Sequence, residues 1–187
     1  MSKPFLRLRV PLGFLFAACY LFVARPASWQ AFGVCVLFVS VGCLIRSWAA
    51  GYLLKGKRVA VGGPYAFVRN PLYVGSFFIG AGFCAALWRR PLPWSSVSIG
   101  MVFLVSFGFI YSAKTLAEEK ELASALGEPY VHYAGQVPAF LPFHGRVSGL
   151  GPQRFSWEIY RRNREYECLL GSAALLIYLY WRSTHGL

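Results

Sequence analysis

Charge is scarce in this 187-residue chain and negative charge scarcest, since 14% of the residues are charged and only 7 are acidic. That is too little charge for a soluble domain of this size. The three histidines, His132, His144 and His185, stand far apart and do not form a metal-ligand set, so no metal is expected. The five cysteines include no C-x-x-C pair and all lie in or beside apolar segments. An odd, scattered set of this kind excludes a disulfide frame and reads as small packing residues. There is no linker, internal repeat or low-complexity tract, which leaves one domain over residues 1–187. No small-residue cleavage site follows the first apolar block, which argues against a removable signal peptide.

What the chain has instead is apolar length, with 57% hydrophobic and 18% aromatic residues gathered in blocks. A membrane-spanning helix needs roughly 20 mostly apolar residues. Val10–Ala24, Ala31–Leu54, Leu72–Trp88, Trp94–Ala113 and Cys168–Trp181 are the candidate spans. The expected fold is therefore all-α, a multi-span transmembrane helical bundle of about five spans. The net charge of +12 fits this topology better than it fits nucleic acid. With the N-terminus in the cytoplasm, only Arg25, Arg89, Arg90 and Arg182 fall outside and Arg46 falls within a span. The remaining Lys and Arg all lie inside, which is the positive-inside bias. Trp29, Trp88, Trp94 and Trp181 lie near predicted span ends, as interfacial aromatics do. The partners implied are the lipid bilayer and, by charge, anionic headgroups.

The outer connections are very short and the cytoplasmic ones long, so any chemistry is expected on the cytoplasmic side. Two stretches there carry polar residues at helix ends. In "GPYAFVRNPLYVGSFFIGAGF", Asn70-Pro71 reads as an N-cap followed by a first helical residue. A helix start leaves N–H groups unpaired and presents a positive dipole end, which suits a carboxylate or phosphate. Arg69 adds a cation there, and Tyr65 and Tyr73 add aromatic faces with hydroxyls. Each feature also has an ordinary structural account, and Gly75, Ser76, Gly80 and Gly82 read first as close helix packing. Further on, Lys114 and Glu118 share a helix face four residues apart, beside Glu119 and ahead of Tyr130 and Tyr133. A carboxylate at a membrane edge can bind an ammonium or sulfonium group, or accept a proton from a nucleophile.

The blocks "VGGPYAFVRNPLYVGSFFIGAGF" and "AEEKELASALGEPYVHYAGQVPAFLPF" resemble the integral-membrane methyltransferases, which include isoprenylcysteine carboxyl methyltransferases and phospholipid N-methyltransferases. The likeness covers about Leu54 to Phe143 and keeps both order and distance. It implies a membrane enzyme moving a methyl group from S-adenosylmethionine (SAM) to a lipophilic acceptor, with cytoplasmic segments enclosing the cofactor. By position, the cofactor segment falls on Lys57, Arg58, Val59 and Ala60. The tyrosine of G-x-Y is Tyr65, followed by Arg69, and the H-P-x-Y positions are Asn70, Pro71, Leu72 and Tyr73. Glu118 and Glu119 are the paired glutamates, and Gly80 and Gly82 match a G-x-G. The acceptor-side Arg and Glu fall on Lys114 and Glu118, which makes these two the catalytic candidates. Asn70 replaces the usual His and supplies no titrating imidazole. Lys114 replaces Arg and loses the bidentate fork that suits a carboxylate. The acceptor atom, O, N or S, stays open. Two other readings compete: a membrane sterol or lipid reductase using NADPH, and a non-catalytic scaffold or small transporter.

Overall fold

The computed structural model describes residues 26–54, 58–88, 94–141 and 153–185. Among these residues the chain forms six α-helices and one 3-10 turn, with no strand. In chain order the helices are α1 (Trp29–Ala50), α2 (Pro71–Ala86), α3 (Trp94–Leu126), α4 (Glu128–Gln136), α5 (Trp157–Asn163) and α6 (Tyr166–His185), and the turn, Gly63–Ala66, precedes α2.

Helix α1 starts where the Ser28 hydroxyl accepts the Ala31 N–H at 3.1 Å, a cap that stabilises a helix start by about 1 kcal/mol. Its partner is α2, which runs antiparallel to it and approaches closely because both carry glycine at the crossing. A Cβ on Gly42 would lie 2.5 Å from the Gly75 carbonyl oxygen, and one on Gly82 3.0 Å from the Cys35 carbonyl oxygen. Only backbone or small residues fit at such a distance, as in helix pairs within lipid. Cys35, Val39, Cys43, Ala86 and Leu179 form the buried core between α1, α2 and α6.

Helix α3 is different. None of its most apolar stretch is buried within the chain, and Met101, Val105 and Phe109 are 55%, 64% and 61% exposed. In water this would be an apolar surface much larger than soluble proteins carry. Against lipid it costs nothing, and the chain is read as membrane-associated. Among the described residues α1 and α3 are long and apolar enough to cross a membrane. Helix α2 is apolar and shorter, with 16 residues, or about 24 Å at 1.5 Å per residue. The expected span Cys168–Trp181 lies within α6, and the expected span Val10–Ala24 lies outside the described residues.

The span expected over Trp94–Ala113 and the charged stretch after it are one continuous helix of 33 residues. No glycine or proline interrupts "AKTLAEEKELASAL", so nothing stops α3 before Gly127, whose φ of +62° breaks the helix. That continuity carries Lys114, Glu118 and Glu119 away from the apolar half on a rigid rod. Helix α4 then folds back, and its Tyr130 and Tyr133 pack with Val61 and Val137 in a second core. The N–H groups of Arg69 and Asn70 bond the carbonyls of Pro138 and Ala139 at 2.9 and 3.2 Å, fixing the approach to α2.

Candidate functional site

The polar ends of α1, α2 and α3, the turn, α4 and the α5–α6 junction enclose a cavity of about 730 Å³. Small-molecule sites range over about 300–1,000 Å³. Four of the chain's 7 acidic residues, Glu118, Glu119, Glu121 and Glu165, line it together with Arg46, Arg58, Arg69 and Lys114. A chain so poor in carboxylates has concentrated them around one space and balanced them with four cations.

Three of those cations are paired. Arg46 makes a fork with Glu165: Nε donates to Oε2 at 3.0 Å, and Nη2 donates to Oε1 at 2.9 Å and Oε2 at 2.7 Å. Its Nη1 donates to the Leu72 carbonyl at 3.1 Å and to the Ser76 hydroxyl at 2.5 Å. All five N–H donors of the guanidinium are thereby used within the protein. The stem reaches the cavity by passing Gly75, where a Cβ would come within 2.5 Å of Arg46 Cγ.

Arg69 lies between α3 and α4. Its Nη2 is 3.1 Å from Glu119 Oε1 and its Nη1 donates to the Ala134 carbonyl at 3.4 Å. The N–H does not point along the hydrogen-bond direction to Glu119, so this is charge contact alone. Arg69 Nε and Glu119 Oε1 are buried without a hydrogen-bond partner among the described residues. Buried polar atoms normally find one, and this donor and acceptor belong to two residues of the cavity wall.

On the third side, Tyr73 donates its hydroxyl to Glu118 Oε2 at 2.6 Å. Glu118 Oε1 is 3.4 Å from Lys114 Nζ, and that ammonium sits 4.9 Å from the centre of the Tyr73 ring. The ring packs edge-on to Tyr111 at 4.7 Å. Behind the site, Tyr133 donates to the Tyr65 carbonyl at 2.8 Å. Burial pushes the Tyr65 and Tyr133 hydroxyls well above the usual tyrosine range, so both are neutral donors at physiological pH.

Of the sequence candidates, Arg58, Val59, Ala60, Tyr65, Arg69 and Asn70 line this cavity. So do Pro71, Leu72, Tyr73, Lys114, Glu118 and Glu119. Lys57 lies outside the described residues. Gly80 and Gly82 are not in the wall: Gly80 faces the Phe103 ring of α3 and Gly82 faces α1, so packing accounts for both. Asn70 occupies the N-cap position of α2, yet its side chain makes no cap bond. Its amide instead donates to the Ala139 carbonyl at 3.2 Å, because the 138–139 segment runs alongside. The Leu72 N–H is left without an acceptor among the described residues. Arg69, expected as a cation at the helix start, is charge-paired with Glu119.

Sequence reasoning missed Glu165, which was not among its candidate residues. A signal existed: an arginine inside a span pairs with something at its own depth, and a glutamate just before an apolar helix is such a partner. Ser76, Tyr111 and Glu121 in the wall carried no comparable signal.

Two curated proteins resemble the chain over part of its length. The cobalt-zinc-cadmium resistance protein CzcN of Cupriavidus metallidurans is 32% identical over 109 residues, covering 57% of this chain and 47% of that protein. A methanethiol S-methyltransferase of Crocosphaera subtropica is 34% identical over 85 residues, covering 45% of this chain and 29% of the enzyme. The chain thus spans less than half the length of either relative. No family model matches it, and no solved structure does. Among the described residues no group of three or more His, Cys, Asp or Glu could hold a metal ion.

Proposed function

We propose that the chain is a multi-pass membrane methyltransferase of about five spans, its cavity open to the cytoplasm, that transfers the methyl group of SAM to a lipophilic or small apolar acceptor. The observation that carries this reading is the meeting of residues from two separate sequence blocks, Tyr65–Ser76 and Glu118–Tyr133, on one cavity of balanced charge. The partial likeness to a methanethiol S-methyltransferase supports it.

The donor set fits SAM. The free Leu72 N–H at the start of α2 and Arg58 suit its carboxylate. Glu121 suits its ammonium group, and the faces of Tyr65 and Tyr130 suit the adenine or the sulfonium. When bound, SAM supplies an electrophilic methyl group. The chain's own task is then mainly positioning, bringing the reacting atoms to about 3–3.5 Å in line. Glu118 has a second task if the acceptor is a thiol or amine, namely to take its proton at a carboxylate oxygen. The Tyr73 hydroxyl holds Oε2 and leaves Oε1, near Lys114, as the atom for that role. A carboxylate acceptor needs no base, and Asn70 offers none.

The test is calorimetric binding of SAM and of its demethylated product to the detergent-purified protein, with NADPH alongside and the Asn70→Ala and Tyr73→Ala variants in parallel. Micromolar binding of the SAM pair that weakens in the variants is expected. Labelled-methyl transfer to thiol, amine and carboxylate lipids, and to small thiols, then identifies the acceptor. Absence of SAM binding in folded protein overturns the reading, and NADPH binding in its place favours a reductase.

A further inference from the structure

We propose that Gln153 is a positioning residue for the ligand-binding wall, holding the Val59–Gly62 segment in the shape that presents Val59 and Ala60 to the cavity. The identity of the ligand rests on the methyltransferase reading; the holding itself does not.

Residues 58–62, ahead of the 3-10 turn, belong to no helix or sheet, so their backbone groups need partners from elsewhere. One side chain supplies them. Gln153 Oε1 accepts the N–H groups of Val61 and Gly62 at 3.0 and 3.2 Å, and its Nε2 donates to the Val59 carbonyl at 2.7 Å. The amide serves this segment as the edge of a neighbouring strand would. The fit is close, since a Cβ on Gly62 would lie 2.8 Å from Gln153 Cβ and 2.7 Å from the Tyr52 ring. With the backbone so fixed, Val61 turns into the Tyr130–Tyr133–Val137 core while Val59 and Ala60 face the cavity.

The surrounding tail is tethered as well. The Ser156 N–H bonds the Gly51 carbonyl at 3.0 Å, and Asn163 Nδ2 donates to the Ala50 and Leu53 carbonyls at 2.9 and 2.8 Å. Those bonds secure the end of α1. Among the described residues only Gln153 hydrogen-bonds the Val61 and Gly62 N–H groups and the Val59 carbonyl. The residue must be both donor and acceptor, which Gln is and an ionised Glu is not. A carboxylate would face the Val59 oxygen with no proton between them.

The experiment pairs two readouts on the full chain in detergent. Amide hydrogen exchange over residues 58–66 of the ligand-free protein reports on the holding, and calorimetric titration with the demethylated product of SAM reports on its consequence. Gln153→Ala is expected to speed exchange at Val61 and Gly62 by about 10-fold or more, as loss of their acceptor implies. It should weaken product binding by about 10-fold while moving the melting temperature by no more than about 3 °C. Gln153→Glu keeps the acceptor oxygens, so it should retain protection at Val61 and Gly62 and lose affinity to a smaller degree. It also serves if the alanine variant fails to fold. Unchanged exchange in Gln153→Ala, or faster exchange with unchanged affinity, overturns the proposal. If the wild type binds no SAM product, the methyltransferase reading falls, and the exchange rates alone decide whether Gln153 holds the segment.

Discussion

Two ion pairs border the same cavity and are built in opposite ways. Arg46 and Glu165 face each other through a two-pronged fork, with side chains 20% and 11% exposed, and every guanidinium proton is used. Lys114 and Glu118 touch at one point, 3.4 Å apart, with side chains 34% and 41% exposed. A buried pair costs several kcal/mol to leave half-broken, whereas an exposed one contributes about 0–1 kcal/mol. The first pair therefore fixes the frame: it ties α1 and the start of α6 to the first turn of α2, from which Tyr73 projects. The second pair is loose enough to exchange its partner for a ligand. Pairing alone does not distinguish a scaffold from a reactive group; the number of satisfied donors and the exposure do.

The sharpest way to break this contrast is Glu165→Ala. It leaves the Arg46 charge half-buried and unpaired, and an unfolding free-energy loss of about 3–5 kcal/mol is expected. Thermal or denaturant unfolding in detergent measures it. A loss below about 1 kcal/mol would place this pair in the same class as Lys114–Glu118. Next in size is Gly75→Ala, which keeps both charges but obstructs the arginine stem. Its Cβ would lie 2.5 Å from Arg46 Cγ and 2.7 Å from the Gly42 carbonyl oxygen, and backbone yields little. Overpacking of this kind costs about 1–3 kcal/mol. Gly108→Ala, also within a helix but with nothing within 4 Å of its Cβ, is the matching control and should cost nothing, raising stability by up to about 1 kcal/mol through the helix preference of Ala over Gly.

The fixed frame also includes Tyr133 and Tyr65, and there pH is the probe. Burial raises both hydroxyl pKa values in the folded chain, while the unfolded chain loses these protons near pH 10. Their contribution is fully present below the unfolded value and is lost as pH rises through the folded ones. The melting temperature should hold between pH 7 and about 9 and fall above about 10. Tyr133→Phe cannot ionise there and should make that fall shallower, while costing about 1 kcal/mol at neutral pH for the hydrogen bond to the Tyr65 carbonyl. An unchanged alkaline slope in the variant would remove Tyr133 from the frame.

How much of this was legible in the residues follows from the range of each interaction. Periodicity and length located α1, α2 and the apolar half of α3, because burial against lipid depends on local composition. Lys114–Glu118 was legible because an i,i+4 pair is set by helix geometry alone. Asn70 was legible as the N-cap position of α2, whereas the bond its side chain makes was not, because the acceptor, the Ala139 carbonyl, lies 69 residues away. Arg46–Glu165 and Gln153 with Val61 span 119 and 92 positions; the arginine within a span called for a partner without saying where along the chain it lay, and nothing local marks Gln153. Gln153 and Asn163 carried no local sign of a role because the backbone groups that they bind lie in and before the α1–α2 loop, about a hundred positions earlier.

The smallest effect on stability is expected where the chemistry is proposed. Glu118→Gln loses one exposed ion pair and keeps an acceptor for the Tyr73 hydroxyl, so unfolding should change by no more than about 0.5 kcal/mol. If Glu118 takes a proton from a thiol or amine acceptor, methyl transfer should fall by about 10²-fold or more while affinity for the demethylated product of SAM stays within a few-fold. Lys114→Met should be equally mild for folding and should change transfer far less, since the ammonium is not a proton acceptor. Raising the pH separates two cases that the rate alone does not. A thiol or ammonium that loses its proton without help at higher pH should recover part of the lost rate in Glu118→Gln, and a carboxylate acceptor, already ionised, should show neither the loss nor the recovery. Transfer that survives Glu118→Gln at every pH would make the loose pair a surface contact and return the search for the reactive group to the rest of the cavity wall.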